Sequence, residues 1–318
     1  MPLLDHSLTR RRAIATFAAS IAGLATTRIA LAQESSATPE AEPVGPPQVD
    51  IAFSSEKIDS YGFPELPVTF NGTEFDVPTE VEAGYHVVVL TPSADTAVYV
   101  DFMQPPAGLS HEEAVEKALQ AGAMDIVEPG WVFGGGSYAF ENTPTRFIVY
   151  LKPGEWQIAA SWQLDEDGAE ETMELYPLTV GEPGASSAGE MDPEPDVVME
   201  LNDIEFGGLD ASIPAGPTLF EVQNVGEQPR QMVLFRTDRA VTSDDFADWF
   251  ASMESGTPPA EPFTMTWVGY AALTSPGYST WIELDLEPGT YTATSWVIDP
   301  ETGMPALLLG MVQSFEVE

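Results

Sequence analysis

The chain of 318 residues repeats itself, and this repetition limits its fold more than any motif does. Ala83-Gly84 precedes the apolar run YHVVVL, as Ala215-Gly216 precedes PTLFEVQN. Ser110-His111-Glu112-Glu113 and Thr242-Ser243-Asp244-Asp245 each open a helical stretch, predicted to run to about Ala121 and Met253. EPGWVFGG begins at Glu128 and EPFTMTWVGY at Glu261. FIVYLKPGEWQIAASW ends at Trp162 and WIELDLEPGTYTATSW at Trp296. Gly84 and Gly216 stand 132 positions apart, Pro129 and Pro262 133, Gly154 and Gly289 135. Offsets this steady across unlike features signify an internal duplication.

Within each copy the period is that of strands. TRFIVYLKPG and STWIELDLEPG alternate apolar and polar side chains and stop at Pro-Gly, as a half-buried strand does before a tight turn. In the first copy this predicts seven strands, near Val68–Phe70, Val87–Leu90, Ala97–Phe102, Trp131–Gly134, Arg146–Leu151, Trp156–Trp162 and Leu175–Val180. The second copy offers matching stretches ending in MVQSFEV. Each helix carries a start signal, Ser110 with Glu113 and Thr242 with Asp245 at capping-box spacing. Short strands with one helix between the central pair predict an all-β chain of two antiparallel Greek-key sandwiches in tandem, each with a short helical insertion.

The flanking composition sets the boundaries. LTRRRAIATFAASIAGLATTRIALAQ places Arg10, Arg11 and Arg12 before an apolar run from Ala13 to about Ala25, then Ala30-Leu31-Ala32 as a small-residue cleavage site. Residues 1–32 therefore read as a cleaved export signal. Thr9 to Ile14 resembles a twin-arginine signal, with an ordinary secretory signal as the alternative. The expected compartment is periplasmic, cell-surface or extracellular, with no membrane anchor in the mature chain. QESSATPEAEPVGPP, residues 33–47, is too poor in apolar surface to order itself and reads as a disordered linker. GEPGASSAGEMDPEPD from Gly181 to Asp196 holds a second linker, so the repeats are expected at 48–181 and 196–318, joined by 182–195.

The chain has no cysteine, which excludes disulfides, thiolate chemistry and a lipidated N-terminus. It carries 11 basic against 51 acidic side chains, a formal net charge of −40. Loss of residues 1–32 would remove four arginines and one aspartate and make the balance more negative still. Such a surface repels phosphates, so nucleic acid and anionic lipid are not expected partners. An unidentified protein or small ligand is.

Repeat two resembles the cupredoxin family, specifically a secreted bacterial branch with a helical insertion. IPAGPTLFEVQNVGEQPRQMVLFR is similar to the family's early strands, LEPGTYTATSW to its Pro-Gly-x-Tyr strand, and GMPALLLGMVQSFEV to its last loop and strand. The resemblance implies a copper site of one His, one Cys, a second His and an axial Met. Those positions fall on Arg230, Ser295, Ala306 and Met311, so three of the four ligands are absent. A blue-copper centre depends on a thiolate and two imidazoles, and a thioether alone is a weak axial ligand. No cofactor is therefore expected. In repeat one the corresponding positions are Ala97 or Val98, and Ala160 or Ser161. Arg230 has two readings: a cation in the old metal position, paired with an acid such as Glu227 or receiving a small anion, or a side chain projecting to solvent at the rim.

Other candidates are weaker. Copper bound by an unconventional set of Met304, Met311, carboxylates and His86 or His111 is the alternative to a cofactor-free module. Asp165, Asp167 and Glu170 space oxygens somewhat as a calcium loop does, but a lone six-residue fragment supplies too few; a solvated hairpin is expected. Trp131, Trp162, Trp267 and Trp296 could stack on sugars if exposed, although recurrence in both copies points to core packing. Neither His86 nor His111 lies in a nucleophile motif, and no enzymatic activity is expected.

Overall fold

A computed structural model describes residues 48–49, 53–93, 96–121, 130–163, 171–184, 191–209 and 212–318. The expected signal, most of the N-terminal linker, part of the second linker and the acidic turn bearing Asp165, Asp167 and Glu170 lie outside the described residues.

Among the described residues each repeat contributes seven strands longer than two residues. In repeat one these are β1 (Glu65–Phe70), β2 (Gly84–Thr91), β3 (Val98–Gln104), β4 (Val132–Ala139), β5 (Thr145–Leu151), β6 (Gly154–Gln163) and β7 (Glu171–Val180). In repeat two they are β8 (Val197–Leu201), β9 (Gly216–Asn224), β10 (Arg230–Thr237), β11 (Met265–Thr274), β12 (Ser279–Leu286), β13 (Gly289–Thr294) and β14 (Val312–Val317). All seven predicted segments of repeat one overlap these strands. The helices are α1 (Glu56–Ser60), α2 (His111–Ala121), α3 (Ser243–Ser255) and α4 (Ala306–Leu309).

The two long helices begin where the capping residues stand. Thr242 N–H donates to Asp245 Oδ2 (2.8 Å) and Asp245 N–H returns a bond to Thr242 Oγ1 (3.3 Å). Ser110 and Glu113 repeat the exchange before α2. Each pair satisfies two amides that a helix start otherwise leaves unpaired. Gly256, in the left-handed region at φ 67°, ends α3.

The strands form two sheets. One runs β8-β9-β12-β5-β2-β1, the other β14-β13-β10-β11-β4-β3-β6-β7, with two-residue strands completing each. Alternate side chains of both sheets meet in one buried cluster, in which Val88, Phe102, Phe147 and Trp156 of repeat one join Phe220, Leu234, Ile282 and Phe315 of repeat two. The chain is thus mostly β, as expected. Both sheets run through both repeats: β5 pairs antiparallel with β12, and β4 with β11. Alternation along a strand identifies a buried face but not which strand lies beside it, so this joining could not be read from the pattern.

The junction is self-matching. Phe147 on β5 faces Ile282 on β12, and these residues are 135 positions apart, the same offset as Gly154 and Gly289. Equivalent strands therefore meet each other around a local two-fold, the arrangement of an isologous dimer built within one chain. Gly135 shows how close the approach is: a Cβ there would lie 1.9 Å from Thr280 Oγ1 of repeat two. Its φ of 92° also favours glycine.

The segments preceding each repeat bind across the same junction. Residues 48–49 pair with β11 and 53–54 with β12. Glu283 of β12, fully buried, accepts from the amides of Lys57 and Ile58 at the start of α1 (2.8 and 3.2 Å). From the other side, Asp192 accepts from Tyr85 (2.7 Å), Glu194 N–H donates to Tyr61 (2.9 Å), and Asp196 meets Lys57 (2.6 Å). Asp192 and Glu194 of the expected linker, and Asp196 at the expected start of repeat two, are therefore bound along repeat one.

Truncating Phe147 to alanine at the centre of the junction should cost about 3–5 kcal/mol. Because its partner strand belongs to the other repeat, calorimetry should show one cooperative transition at a lower temperature. Two separated endotherms would contradict the shared sheets.

Candidate functional site

The four positions that the resemblance singles out lie at one end of repeat two. Ser295 follows β13 directly; the chain then turns at Asp299, forms α4 from Ala306, and passes Met311 into β14. Backbone bonds hold this loop closed. Ser295 N–H donates to Met311 O (3.3 Å), Leu307 N–H to Ser295 O (2.8 Å), Ala306 N–H to Val297 O (2.8 Å) and Met311 N–H to Ala306 O (3.0 Å). The structure thus brings Ser295, Ala306 and Met311 together.

Arg230 opens β10 from the adjoining turn, which two side chains pin. Asn224 Nδ2 donates to Gln228 O (2.8 Å) and Thr274 O (2.6 Å), and Asp203 Oδ1 accepts from the amides of Glu227 (2.7 Å) and Gln228 (3.0 Å). The guanidinium is fully buried. Its Nε donates to Asp203 O (2.6 Å), one terminal nitrogen to Pro229 O (2.9 Å), the other to Gln228 Oε1 (2.9 Å). Asp299 Oδ2 stands 3.6 Å from that last nitrogen. Arg230 therefore reaches into the same loop as Ser295, Ala306 and Met311. The solvent-facing reading of Arg230 is corrected by its burial. The acid beside it is Asp299, two residues past Val297, and not the expected Glu227, whose amide is spent on Asp203.

Burial pushes the Arg230 pKa below its ordinary value, against the pull of Asp299 and Asp203. Arginine stays charged at any accessible pH, so this is a desolvation cost and not a change of state. Burial works against the Asp299 carboxylate too, but hydrogen bonds from Thr302, the charge of Arg230 and the Glu301 amide outweigh it and hold its pKa below the usual range. Asp299 Oδ1 accepts from Glu301 N (3.1 Å), Thr302 N (2.8 Å) and Thr302 Oγ1 (2.9 Å). The ion pair is thus anchored by a turn on one side and by carbonyls on the other.

The donor set does not fit a copper ion. A guanidinium repels metal cations, Ala306 has no donor atom, and Met311 offers a thioether packed in the main core. Ser295 Oγ is buried with no hydrogen-bond partner among the described residues. A buried hydroxyl left unpaired costs free energy, so Ser295 Oγ is a local source of instability in this loop. Arg230 turns three of its N–H groups onto two carbonyls and Gln228, and its charge faces Asp299.

The remaining candidates fall elsewhere. His86 Nε2 is 2.8 Å from Glu82 O and His111 Nδ1 is 2.7 Å from Gln157 Oε1, both within repeat one. Met304 is 41% exposed while Met311 is fully buried. Among the described residues no group of three or more His, Cys, Asp or Glu is placed to hold a metal. Trp131, Trp162, Trp267 and Trp296 are all buried, which rules out a sugar-stacking row and agrees with core packing. In repeat one Val98, Ala160 and Ser161 are buried. Sequence reading missed Asp299 and Asp203; the Asp-Pro-Glu-Thr-Gly turn after Val297 was the available signal.

Comparison with known proteins gives similarity of structure alone. No protein-family model matches the chain, and no curated protein does. Among solved structures, the chain is similar to auracyanin from the photosynthetic bacterium Roseiflexus castenholzii, with 17% identity and a TM-score of 0.26, over 38% of this chain and 94% of that one. It is also similar to auracyanin B, at 19% identity and a TM-score of 0.26, over 40% and 93%. A blue copper oxidase from Nitrosomonas europaea matches over 80% of this chain and 84% of its own, with 10% identity and a TM-score of 0.23.

Arg230→Met should destabilise the protein by on the order of 3 kcal/mol, because it leaves Asp299 buried without its cation. Ser295→Ala should be neutral or stabilising by up to about 1 kcal/mol, since it removes an unpaired hydroxyl. Urea denaturation of both variants checks the contrast. A destabilising Ser295→Ala would reveal a partner for the hydroxyl.

Proposed function

We propose that this chain is an exported, cofactor-free tandem of cupredoxin-like Greek-key units, acting as a binding or structural module outside the cytoplasm. The observation that carries this reading is the buried Arg230–Asp299 pair, which occupies the loop cluster of Ser295, Ala306 and Met311 with a fixed cation. In the cupredoxin family that cluster encloses copper, and its ligands approach from one strand end and one loop. Here the same two segments are joined by an ion pair and backbone bonds, so the loop is closed without a metal. The N-terminal arginine-rich apolar segment and the small-residue site before Gln33 support export. No helix among the described residues is long and apolar enough to cross a membrane. The strongly acidic surface keeps such a module soluble and monodisperse.

The alternative is a metalloprotein using thioethers, carboxylates and histidine. The engaged positions of His86 and His111 in repeat one favour the cofactor-free reading over it.

Titration of the mature protein with Cu(II) should give no intense visible charge-transfer band and no stoichiometric binding. Tight uptake of one copper per chain would overturn the proposal, and loss of Cu(I) affinity on removing Met304 and Met311 would establish the alternative. The triple substitution Arg230→His, Ser295→Cys and Ala306→His beside Met311 should create a coloured copper site. A folded but colourless triple variant would show that the four positions do not converge as ligands.

A further inference from the structure

The turn that follows β1 carries chemistry of its own. Of the four asparagines in the chain, Asn71 is the one followed by glycine. Asn71-Gly72-Thr73-Glu74 links β1 to the two-residue strand Phe75–Asp76 at the end of the smaller sheet, and the Asn71 N–H donates to Glu74 O (3.1 Å). All four residues of the turn are exposed. Asn71 Oδ1 accepts three bonds: from the Thr73 N–H (2.9 Å), the Thr73 hydroxyl (2.9 Å) and the Glu74 N–H (3.1 Å). Two backbone amides aimed at one atom identify it as the oxygen of the carboxamide. The Gly72 N–H makes no hydrogen bond among the described residues. Its φ of 101° lies in the region that glycine favours, and the space beside it is open.

The backbone nitrogen that follows an asparagine can attack the side chain and close a cyclic imide, and glycine obstructs that approach least. The step is balanced within the turn. Gly72 N forms a bond to Asn71 Cγ, the Cγ–Nδ2 bond breaks, and Nδ2 leaves as ammonia together with the Gly72 amide proton. Water then opens the imide at either carbonyl, giving aspartate or, where the main chain now runs through Cβ, isoaspartate. In the tetrahedral intermediate of the first step negative charge gathers on Oδ1. A carbonyl oxygen offers two lone pairs, whereas an oxyanion offers three. The three donors on Oδ1 therefore match the intermediate better than the ground state. We propose that Asn71 is a self-modification site whose folded turn speeds its own conversion to aspartate and isoaspartate.

The duplication supplies an internal contrast. Asn202-Asp203-Ile204-Glu205 forms the matching turn of repeat two, between β8 and Phe206–Gly207, and the Asn202 N–H donates to Glu205 O (3.0 Å). There the following residue is Asp203, whose side chain accepts from the Glu227 and Gln228 amides and whose carbonyl accepts from Arg230. Among the described residues the Asn202 side chain accepts none of the three bonds found at Asn71. The same turn is thus tied to its surroundings in one copy and left reactive in the other. The two products act differently on the hairpin. Aspartate adds a negative charge near Glu74 and Asp76. Isoaspartate lengthens the main chain inside a turn whose ends are fixed, because Phe70 and Phe75 face each other in register and both pack on Trp162. It therefore loosens Phe75–Asp76 and uncovers the edge of β1.

Ageing the purified protein at mildly alkaline pH, followed by peptide mapping that separates isoaspartate from aspartate, tests the site. Asn71 should convert on the order of tenfold faster than Asn202, and several-fold faster in the folded chain than in urea at the same pH. Thr73→Val removes the hydroxyl donor at an exposed position, so it should slow conversion several-fold in the folded chain and leave the rate in urea unchanged. Conversion of Asn71 no faster in the folded chain than in urea would overturn the proposal, as would equal folded-state rates with and without the Thr73 hydroxyl. Should the variant fail to fold, the comparison of the folded and unfolded natural chain still decides. In the isoaspartate fraction, hydrogen exchange across Phe75–Asp76 should rise, and unchanged exchange there would overturn the loosening of the β1 edge.

Discussion

The pairing of β5 with β12 is the contact on which the rest of the structure depends. It places Phe147 against Ile282 on a local two-fold, and every larger feature follows from joining equivalent strands there. Two sheets become continuous, one core serves both repeats, and the segments before each repeat find binding surfaces across the boundary. Glu283 illustrates the dependence: a buried carboxylate is tolerable at the junction because the amides of Lys57 and Ile58, from the opposite repeat, bond to it. Gly135 of β4 serves the same contact by clearing room for Thr280.

At the end of repeat two a different constraint operates. The loop needs something central to hold its strand end and its return segment together. Arg230 and Asp299 supply a charge pair there, supported by Asp203, Gln228 and Thr302. A buried ion pair is a modest source of stability because desolvation offsets most of the attraction. Its worth lies in geometry: the forked guanidinium fixes the direction of four contacts at once. In the same loop the Ser295 hydroxyl is buried without a hydrogen-bond partner among the described residues.

Much of the strand content was legible because alternation and Pro-Gly stops report local conformation directly. TRFIVYLKPG became β5 and STWIELDLEPG became β12 within a residue or two. Capping residues likewise placed α2 and α3. What could not be read was anything set by partners distant in sequence. Phe147 looks like any core phenylalanine, and nothing in its neighbours says that Ile282 lies opposite. Arg230 was identified as the interesting replacement, yet its partner was sought among nearby acids when Asp299 lay 69 positions away. Met304 and Met311, read as a possible pair, separate into surface and core.

The self-matching junction also bears on how such a chain can fail. A lone repeat would present β4 and β5 as open edges whose complement is a copy of themselves, so the surface that completes the protein internally is also a template for pairing between chains. Exchange of halves between two molecules would cost little, because every contact of the junction can be made between them as well as within one. The tether between repeats thus acts as a concentration device: by keeping the right partner at hand it favours closure within the molecule over open-ended assembly.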